Sequence, residues 1–545
     1  MNTTVPKSRR RRVVLASSAG LLATALALSA CANGGGESAD PAATPTAGGT
    51  LQVDLSAAPN CIDPAVALSA NERAVVRASV DSLLDMDSSG ELVPWLAESW
   101  DVNDDATQVV FHLRDGVTFS DGTPLTAEAV KSTFDFIKQT LGSKSSRGNG
   151  YLSSYTGTTV VDDLTAQVDF AAPAVQFIAG AATTTLGIVS PESATKTPEA
   201  RCAGDYIGTG PFTLEDYAQG QGATVTARPE YDWPSELAAH EGAPYLEGIE
   251  YQVVDTSNAR DGALQAGQTD VAIDVASQDV PQLEQAGVEI LKGTLPGMPA
   301  SIIVNTTKPG LDDLAVRQAM LIGFDREADV KAVLGEYFDS ATSALTSTFP
   351  AYKDESDTIA YDLDAATALL DDAGWVAGSD GIREKDGVKL QFSVNFSTAF
   401  GAYYTSMLQL FQQHMGDIGI GIELNDLPQA NLLATATDKS YDMYTTSLTD
   451  ADPDIIRSSM ANFVFADPAL LESTGITELF TRSQGDATAE ARNATYGELQ
   501  DAILENAIIL PYWQGGQIAG AREGVSGLRQ DFLAALNFYD VAIAG

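Results

Sequence analysis

Residues 390–424, LQFSVNFSTAFGAYYTSMLQLFQQHMGDIGIGIEL, contain three successive patterns of apolar side chains. In the first and third patterns every second residue is apolar, as in strands with one buried face, and the middle pattern has helical spacing. The positions are Leu390, Phe392, Val394 and Phe396, then Tyr404, Leu408, Phe411 and Met415, then Ile418, Ile420, Ile422 and Leu424. A strand, a helix and a strand at this spacing form a crossover between parallel strands, so we predict an α/β protein.

Similar patterns extend on both sides of this unit. Residues 109–119 are rich in β-forming side chains, and a helix is predicted to follow Thr126. Apolar residues at helical spacing predict one helix over residues 315–334 and another over residues 493–506. No linker-like segment interrupts residues 50–545. A chain this long is therefore expected to form lobes that are interwoven rather than arranged in series.

The amino-terminal end has the composition of an export signal. Basic residues at positions 7–12 precede an uncharged run over residues 13–30, and small side chains lead into Cys31. This order resembles the lipobox of bacterial lipoproteins, whose cysteine is acylated and becomes the mature amino terminus. We therefore predict a lipoprotein signal peptide at residues 1–30 and lipidation of Cys31.

Two alternatives concern this signal. A membrane-spanning anchor is one, although Ala, Ser, Gly and Thr dilute the apolar run. The paired arginines also fit twin-arginine export, and the sequence does not distinguish this route from the general one. Residues 31–49 are rich in Gly, Ala, Pro, Ser and Thr and lack a hydrophobic period, so they are predicted to be a flexible tether.

Composition limits the partners of the body of the protein. The 545 residues carry a formal net charge of −43, and 44% of them are hydrophobic, enough for a large core. So acidic a surface is not expected to bind nucleic acid or anionic lipid, because phosphate groups would be repelled. Attachment to the membrane is therefore expected only through the amino-terminal lipid.

The chain has three cysteines, and the lipid accounts for Cys31. In an oxidising compartment outside the cytoplasm, the other two, Cys61 and Cys202, could form a disulfide. Two separate buried thiols are the alternative, and both remain open at this point.

The sequence contains no recognisable motif of an enzyme or a metal site. The nucleophile elbow, the zinc-protease motif, the Walker loop and the dinucleotide-binding glycine motif are all missing. The three histidines, His112, His240 and His414, are scattered without the spacing of metal ligands. We therefore expect no catalytic residues, no metal site and no cofactor.

A set of short motifs occurs in a fixed order between about residues 48 and 530. They are GGTL at 48–51, IDP at 62–64, LVPWLAESW at 92–100, FHLRDGVTFSDGTPLTAEAV at 111–130, GTGPF at 208–212, DDLAVRQA at 312–319, AGW at 373–375 and DPD at 452–454. This set resembles the bacterial extracellular solute-binding proteins of family 5, the peptide- and nickel-type receptors of ABC importers. One departure is Ala129, where the family usually has Asp.

The resemblance implies two α/β lobes with mixed sheets, joined by two hinge strands, that close on a ligand like a clamp. The first lobe is discontinuous, consisting of residues 50–295 plus 514–545, and the second lobe consists of residues 296–513. The crossings between the lobes are expected near residues 301–305 and 511–515.

The resemblance also implies positions for ligand-binding residues. Dipeptide-binding members bind the ligand's ammonium group with an Asp and its carboxylate with an Arg. The aligned positions here are Thr449, with Asp450 one residue later, and Thr398. Phe400 retains an aromatic of those members, whereas Thr446 replaces a Trp. A free dipeptide is therefore not expected as the natural ligand.

Two loops and one tryptophan are predicted to form a cleft lined by hydroxyl and aromatic groups. The predicted ligand-binding residues are Thr398, Phe400, Tyr403, Tyr404, Thr446, Ser447, Thr449, Asp450 and Trp513. This lining suits a longer peptide held by its backbone, or an uncharged polar solute such as an oligosaccharide. Nickel is not favoured, because no histidine lies nearby in the sequence.

We therefore predict a monomeric receptor, lipid-anchored on the outer face of the cell membrane, that delivers a peptide to the permease subunits of an ABC importer. The alternatives are a clamp that binds an oligosaccharide or other polar solute, and a sensor or signal-peptide receptor without transport. An enzyme is not predicted.

Overall fold

The computed structural model describes residues 47–401, 403–460, 467–486 and 488–544. The predicted signal peptide, Cys31 and all of the predicted tether except residues 47–49 lie outside the described residues. The described strands are β1 (Thr50–Leu55), β2 (Leu84–Met86), β3 (Leu92–Pro94), β4 (Ala97–Val102), β5 (Gln108–Leu113), β6 (Tyr155–Asp162), β7 (Thr165–Phe170), β8 (Phe212–Ala218), β9 (Gly222–Ala227), β10 (Gly248–Val253), β11 (Val271–Ile273), β12 (Glu289–Thr294), β13 (Gly297–Val304), β14 (Val376–Ala377), β15 (Arg383–Lys385), β16 (Val388–Lys389), β17 (Gln391–Phe396), β18 (Gly421–Asp426), β19 (Met443–Thr449), β20 (Ile509–Trp513), β21 (Gly516–Ala521), β22 (Val525–Ser526), β23 (Arg529–Gln530), β24 (Leu536–Asn537) and β25 (Ala542–Ile543).

Several helices begin at a side chain that accepts a hydrogen bond from the first turn, as Ser69, Asp362 and Thr488 do. The described helices are α1 (Ala70–Ser79), α2 (Ala127–Asp135), α3 (Ser146–Tyr151), α4 (Val175–Gly180), α5 (Pro198–Cys202), α6 (Ser257–Gln265), α7 (Val280–Gln285), α8 (Leu314–Ile322), α9 (Arg326–Leu334), α10 (Leu363–Asp372), α11 (Tyr403–Asp417), α12 (Gln429–Asp438), α13 (Ile455–Ser459), α14 (Pro468–Ser473), α15 (Ile476–Gly485) and α16 (Ala489–Glu505). The cap at Thr488 starts α16 four residues before the predicted helix at 493–506.

A seven-stranded mixed sheet has the order β12-β21-β11-β1-β10-β9-β8. Strand β1 is parallel to both β10 and β11, whereas β21 is antiparallel to β11 and β12. Strand β21 comes from the last 30 residues of the chain, so the carboxyl-terminal end returns to a sheet that the first strand begins.

A five-stranded sheet has the order β18-β17-β19-β13-β20. Strand β17, helix α11 and strand β18 form the parallel crossover predicted from residues 390–424, which is thereby confirmed. Strand β19 is parallel to β17, and β13 is antiparallel to both β19 and β20. Strands β17, β18, β19 and β20 therefore end at the same edge of the sheet.

A four-stranded antiparallel sheet, in the order β4-β5-β7-β6, packs against α2, α3 and α4. Its buried side chains form one continuous cluster with residues of the five-stranded sheet and of α16, including Tyr444, Ala451 and Tyr496. The four-stranded sheet is thus packed against the part of the chain that carries β19.

The chain passes between the seven- and five-stranded sheets twice, over two residues each time. Residues 295–296 join β12 to β13, and residues 514–515 join β20 to β21. The predicted crossing near residues 301–305 is wrong, because residues 301–304 already pair within the five-stranded sheet. Strand β13 starts early because Gly297 (φ +139°) lies against β19, where a Cβ would be only 1.8 Å from the Leu448 carbonyl oxygen.

The single helix predicted over residues 315–334 is also wrong. The structure has two helices, α8 and α9, with a break at residues 323–325. The Asp325 carboxylate accepts a hydrogen bond from the Ala328 backbone N–H at 3.0 Å and so starts a new helix. The apolar spacing continues through the break, which is why the pattern alone did not reveal it.

Cys61 and Cys202 form a disulfide, with 4.3 Å between their Cα atoms. Next to it, Arg201 donates to the Asp63 carboxylate at 2.8 Å, and both side chains are almost completely buried. The Arg201 guanidinium also stacks 4.1 Å from the centre of the Phe136 ring. The disulfide and the ion pair therefore connect the segment after β1 to α5.

Replacing both cysteines by serine (Cys61→Ser with Cys202→Ser) is expected to lower the free energy of unfolding. A bond across 141 residues restricts the unfolded chain by about 5 kcal/mol in the loop-entropy description. Denaturant unfolding with and without a reducing agent measures this effect. The reducing agent should destabilise the native protein and leave the double variant unchanged, and an unfolding midpoint insensitive to reduction in both proteins would contradict the assignment.

Candidate functional site

Polar side chains follow the parallel strands of the seven-stranded sheet. Strands β1 and β11 are parallel neighbours, so Ser56 and Asp274, which come directly after them, lie at one edge. The Ser56 hydroxyl donates to the Asp274 carboxylate, and the Asn71 amide donates to the Ser56 oxygen at 3.0 Å. Asp274 has a positive φ of 56°, a conformation that costs energy outside glycine. This edge therefore holds an exposed carboxylate in a fixed position.

The loops of the predicted site follow the parallel strands of the five-stranded sheet. The loop at residues 397–400 follows β17, Asp450 follows β19, and Trp513 is the last residue of β20. Because these strands run in the same direction, their carboxyl ends bring the three segments to one edge. Open α/β sheets bind ligands at such edges.

Four of the predicted residues form an aromatic cluster at this edge. The ring centres of Tyr404 and Trp513 are 4.9 Å apart, those of Tyr403 and Trp513 are 6.0 Å apart, and those of Phe400 and Tyr404 are 6.3 Å apart. Tyr404 and Trp513 are buried, Tyr403 is partly buried, and Phe400 is 42% exposed. The buried rings support an aromatic surface that Phe400 extends into solvent.

The carboxyl edges of the two sheets are joined by the short passages at residues 295–296 and 514–515. Burial, and next the negative charge of Asp274, raise the pKa of Tyr403 to about 12. Asp274 belongs to the seven-stranded sheet and Tyr403 to the helix that follows β17. An acidic group therefore lies across from the aromatic cluster.

Thr398 is held by a neighbouring loop. Its hydroxyl donates to the Asp426 carboxylate at 2.8 Å, and its backbone N–H donates to the same group at 3.0 Å. Asp426 ends β18, so this pair fixes the shape of the loop after β17. Thr446 pairs with Ser301 within the sheet, and Ser447 is exposed beside Gly515 at the second passage.

Thr449 and Asp450 contact helix α3, which belongs with the four-stranded sheet. The Arg147 guanidinium donates to the Thr449 carbonyl oxygen at 2.7 Å, and its Nε lies 3.8 Å from the Asp450 carboxylate. The Tyr151 hydroxyl donates to the same carboxylate at 2.7 Å. Burial raises the pKa of Asp450 to about 6, while Arg147 and Tyr151 act in the opposite direction.

The two aspartates of the DPD motif at 452–454 form ion pairs with arginines of the same chain. Arg492 donates to the buried Asp452 carboxylate at 2.9 Å. The buried Asp454 carboxylate accepts from Arg457 at 2.6 Å and from the Tyr496 hydroxyl at 3.0 Å. These pairs compensate the cost of burying two carboxylates and fix the loop that carries Asp450.

Ala451, the residue after Asp450, lines a small pocket. Its lining combines Ala451 with residues from distant parts of the chain, namely Asp85, Met86, Ala182, Thr183, Asp531, Phe532 and Leu533.

Four residues of the site were not predicted from the sequence, namely Arg147, Tyr151, Ser56 and Asp274. The rule that ligands bind beyond the carboxyl ends of parallel strands could have indicated Ser56 and Asp274, whereas nothing in the local sequence indicates Arg147.

The described residues contain no group of three or more His, Cys, Asp or Glu side chains arranged to hold a metal ion. Within the same part of the chain, no helix is both long enough and apolar enough to cross a membrane.

Comparison with known proteins places this geometry in a family. The sequence profile of the bacterial extracellular solute-binding proteins, family 5 (middle region), matches residues 91–464, more than half of the chain. The glutathione-binding protein GsiB of Escherichia coli K12 is 28% identical over 360 residues, which cover 66% of this chain and 66% of GsiB. The chain thus matches just under two thirds of the length of this relative.

Solved structures share the fold. NikA of Brucella suis in complex with Fe(III)-EDTA has a TM-score of 0.78 at 23% identity, covering 91% of this chain and 100% of NikA. The oligopeptide-binding protein AppA of Bacillus subtilis in complex with a nonapeptide has a TM-score of 0.71 at 20% identity, covering 92% of this chain and 100% of AppA. The predicted two-lobed α/β fold is confirmed. The chain belongs to the bacterial extracellular solute-binding proteins of family 5, which are binding proteins and not enzymes.

Proposed function

We propose that this protein is a lipid-anchored receptor outside the cytoplasm that binds a peptide between two lobes and delivers it to an ABC importer. The observation that carries the proposal is that two connections of two residues each join the carboxyl edges of the two large sheets, one of them directly after Trp513 of the aromatic cluster. A peptide presents its side chains to such a surface while loop residues bind its backbone.

In this proposal the first lobe comprises residues 50–295 and 514–545, and the second comprises residues 296–513. The passages at 295–296 and 514–515 are the hinges, because they are the places where the chain leaves one large sheet for the other. Closing about two short connections moves each lobe as a body and encloses the ligand.

A peptide is supported by the chemistry of the cleft and by two relatives. GsiB is a glutathione-binding protein, and AppA was solved with a nonapeptide. The exposed Asp274 carboxylate, whose charge acts on Tyr403, and the exposed ring of Phe400 suit an ammonium or guanidinium group, because both a carboxylate and an aromatic face attract cations. Thr398 is expected to shape the loop rather than to contact the ligand, because Asp426 holds its hydroxyl.

Peptides are expected to raise the melting temperature of the mature protein, because a ligand that binds only the folded state stabilises it by about 2.7 kcal/mol at a hundred times its Kd. Pools of peptides from two to nine residues, glutathione and a panel of oligosaccharides provide the test by thermal shift. Mass spectrometry of the protein as purified identifies any ligand that remains bound.

Stabilisation by oligosaccharides alone would overturn the peptide assignment. Uptake by a deletion strain then tests delivery, since loss of the receptor should abolish import of the identified peptide. Unchanged import together with a lost cellular response would instead favour a sensor.

Phe400→Ala is expected to weaken peptide binding about fivefold, corresponding to about 1 kcal/mol for one exposed aromatic contact. Isothermal titration calorimetry measures the affinity, and the melting temperature without ligand should not change because Phe400 is 42% exposed. Tyr361→Ala is the matched control, since Tyr361 is 44% exposed and packs on His414 in the last turn of α11, away from Phe400. Equal affinities in all three proteins would contradict a ligand-binding role for the aromatic cluster.

Cys31→Ser is expected to release the protein from the membrane fraction, because acylation of this cysteine is the proposed anchor. Cells that express the full chain are labelled with an alkyne analogue of palmitate and fractionated. The native protein should carry the label and sediment with membranes, and the variant should do neither. A variant that stays in the membrane fraction would indicate a spanning segment instead.

A further inference from the structure

Asp450 differs from the two other carboxylates of its loop in the origin of its partners. Asp452 is paired with Arg492 and Asp454 with Arg457, all from the region that follows β19. The Asp450 carboxylate accepts from the Asp452 backbone N–H at 3.2 Å, but its side-chain partners are Arg147 and Tyr151, about 300 residues earlier in the chain, on helix α3. This contact joins the first proposed lobe to the second.

We propose that Arg147 is a specificity-determining residue, which occupies the Asp450 carboxylate in place of a ligand cation and so excludes positively charged groups from this end of the cleft. The proposal rests on the proposed function, because it concerns the same cleft between the two lobes. The group of residues formed by Arg147, Tyr151 and Asp450 is called the latch below.

The first argument is the geometry of the latch. The Asp450 side chain is only 15% exposed, and that of Arg147 only 12%. Tyr151 holds one carboxylate oxygen at 2.7 Å, and Arg147 is anchored at 2.7 Å on the adjacent Thr449 carbonyl. A ligand ammonium could reach the carboxylate only by displacing a guanidinium that already has its own hydrogen bond.

The second argument is the local charge. Arg73 is buried, and burial together with the nearby Arg147 lowers its pKa to about 10. The guanidinium groups of Arg147 and Arg73 therefore lie close enough to repel each other, while Asp531 and Glu72 act on Arg73 in the opposite direction. A further cation placed beside Arg147 would meet the same repulsion. The Arg147 Nη1 atom is buried and has no hydrogen-bond partner among the described residues, so it remains able to donate to a neutral or anionic group.

The third argument is that the rest of the structure positions the latch. The Tyr151 ring packs against Gly180 at the end of α4, where a Cβ would approach the ring to 2.5 Å. Ala451 follows Asp450 and lines the pocket shared with Thr183 and Asp85. The loop that carries Asp450 therefore borders, through Ala451, a small space between the two proposed lobes.

The test compares matched peptides that differ only at the amino end. Tetra-alanine with a free amino terminus and its N-acetylated form are titrated into the native protein and into Arg147→Met. The native protein should bind the acetylated form at least as tightly as the free form. Removing the guanidinium should free Asp450 and shift the ratio of the two affinities at least tenfold toward the free amine.

Two results would overturn the proposal. One is a native protein that prefers the free amine tenfold or more and loses this preference in Asp450→Asn. The other is an Arg147→Met variant whose affinity ratio is unchanged or that gains no binding of the free amine. Lys144→Met is the matched control, because it removes a charge three residues earlier from a surface pair with Glu199.

A second variant and a measurement without ligand keep the test informative if Arg147→Met does not fold. Asp450→Asn frees Arg147, so it should bind N-succinylated tetra-alanine at least tenfold more tightly than the native protein does. Small-angle scattering of the ligand-free proteins should show a larger radius of gyration when Arg147 or Asp450 is replaced. If the radius of gyration changes in the variants but no peptide binds to any of the proteins, the peptide ligand is rejected and the latch is retained. If peptides bind, but the radius of gyration and the ratio of affinities are the same in all variants, only the latch is rejected.

Discussion

The two passages between the large sheets are the constraint on which the site depends. Each passage has only two residues, and an extended residue spans at most about 3.6 Å, so the sheet edges that they join must lie close together. In both sheets, these are the edges where the parallel strands end. The loops after β1, β11, β17 and β19 therefore follow strands that end at these joined edges, whatever their own sequences are. The early start of β13 at Gly297 is part of this constraint, since any larger residue would push β13 away from β19.

Periodic segments were the part of the fold that the sequence predicted well. Residues 390–424 carry their signal in twelve apolar positions, and the structure has the strand, helix and parallel strand that these positions indicate. The prediction over residues 315–334 failed because helix capping by Asp325 interrupts a pattern that remains periodic. The crossing predicted near residues 301–305 failed for a different reason. Strand β13 begins at Gly297, which packs closely against β19, and the spacing of apolar residues contains no information about such a contact.

The candidate site was predictable only where neighbouring residues form it. Phe400, Tyr403 and Tyr404 lie within one loop and helix start, and Trp513 joins them because β20 ends at the same edge. The family resemblance predicts Thr398 as a site residue, but the carboxylate that holds it, Asp426, ends a different strand. Arg147 lies about 300 residues before Asp450, in a short helix without an apolar pattern. Contacts of this kind arise from tertiary packing and leave no local signal.

Asp274 and Asp450 have different surroundings, and this difference determines the orientation in which the proposed peptide would bind. Asp274 is an exposed residue whose carboxylate accepts from the Ser56 hydroxyl, whereas the Arg260 guanidinium donates to its backbone carbonyl at 2.7 Å and leaves the carboxylate without a guanidinium partner among the described contacts. Asp450 is a largely buried carboxylate, and the Arg147 guanidinium forms an ion pair with it at 3.8 Å. Although both are aspartates at the carboxyl ends of strands, only Asp274 is available to a cation, because a buried carboxylate paired with a guanidinium has no unbalanced charge to offer. In the proposed function, a peptide is therefore bound with its cationic end toward Asp274 and an uncharged or acidic end toward Arg147.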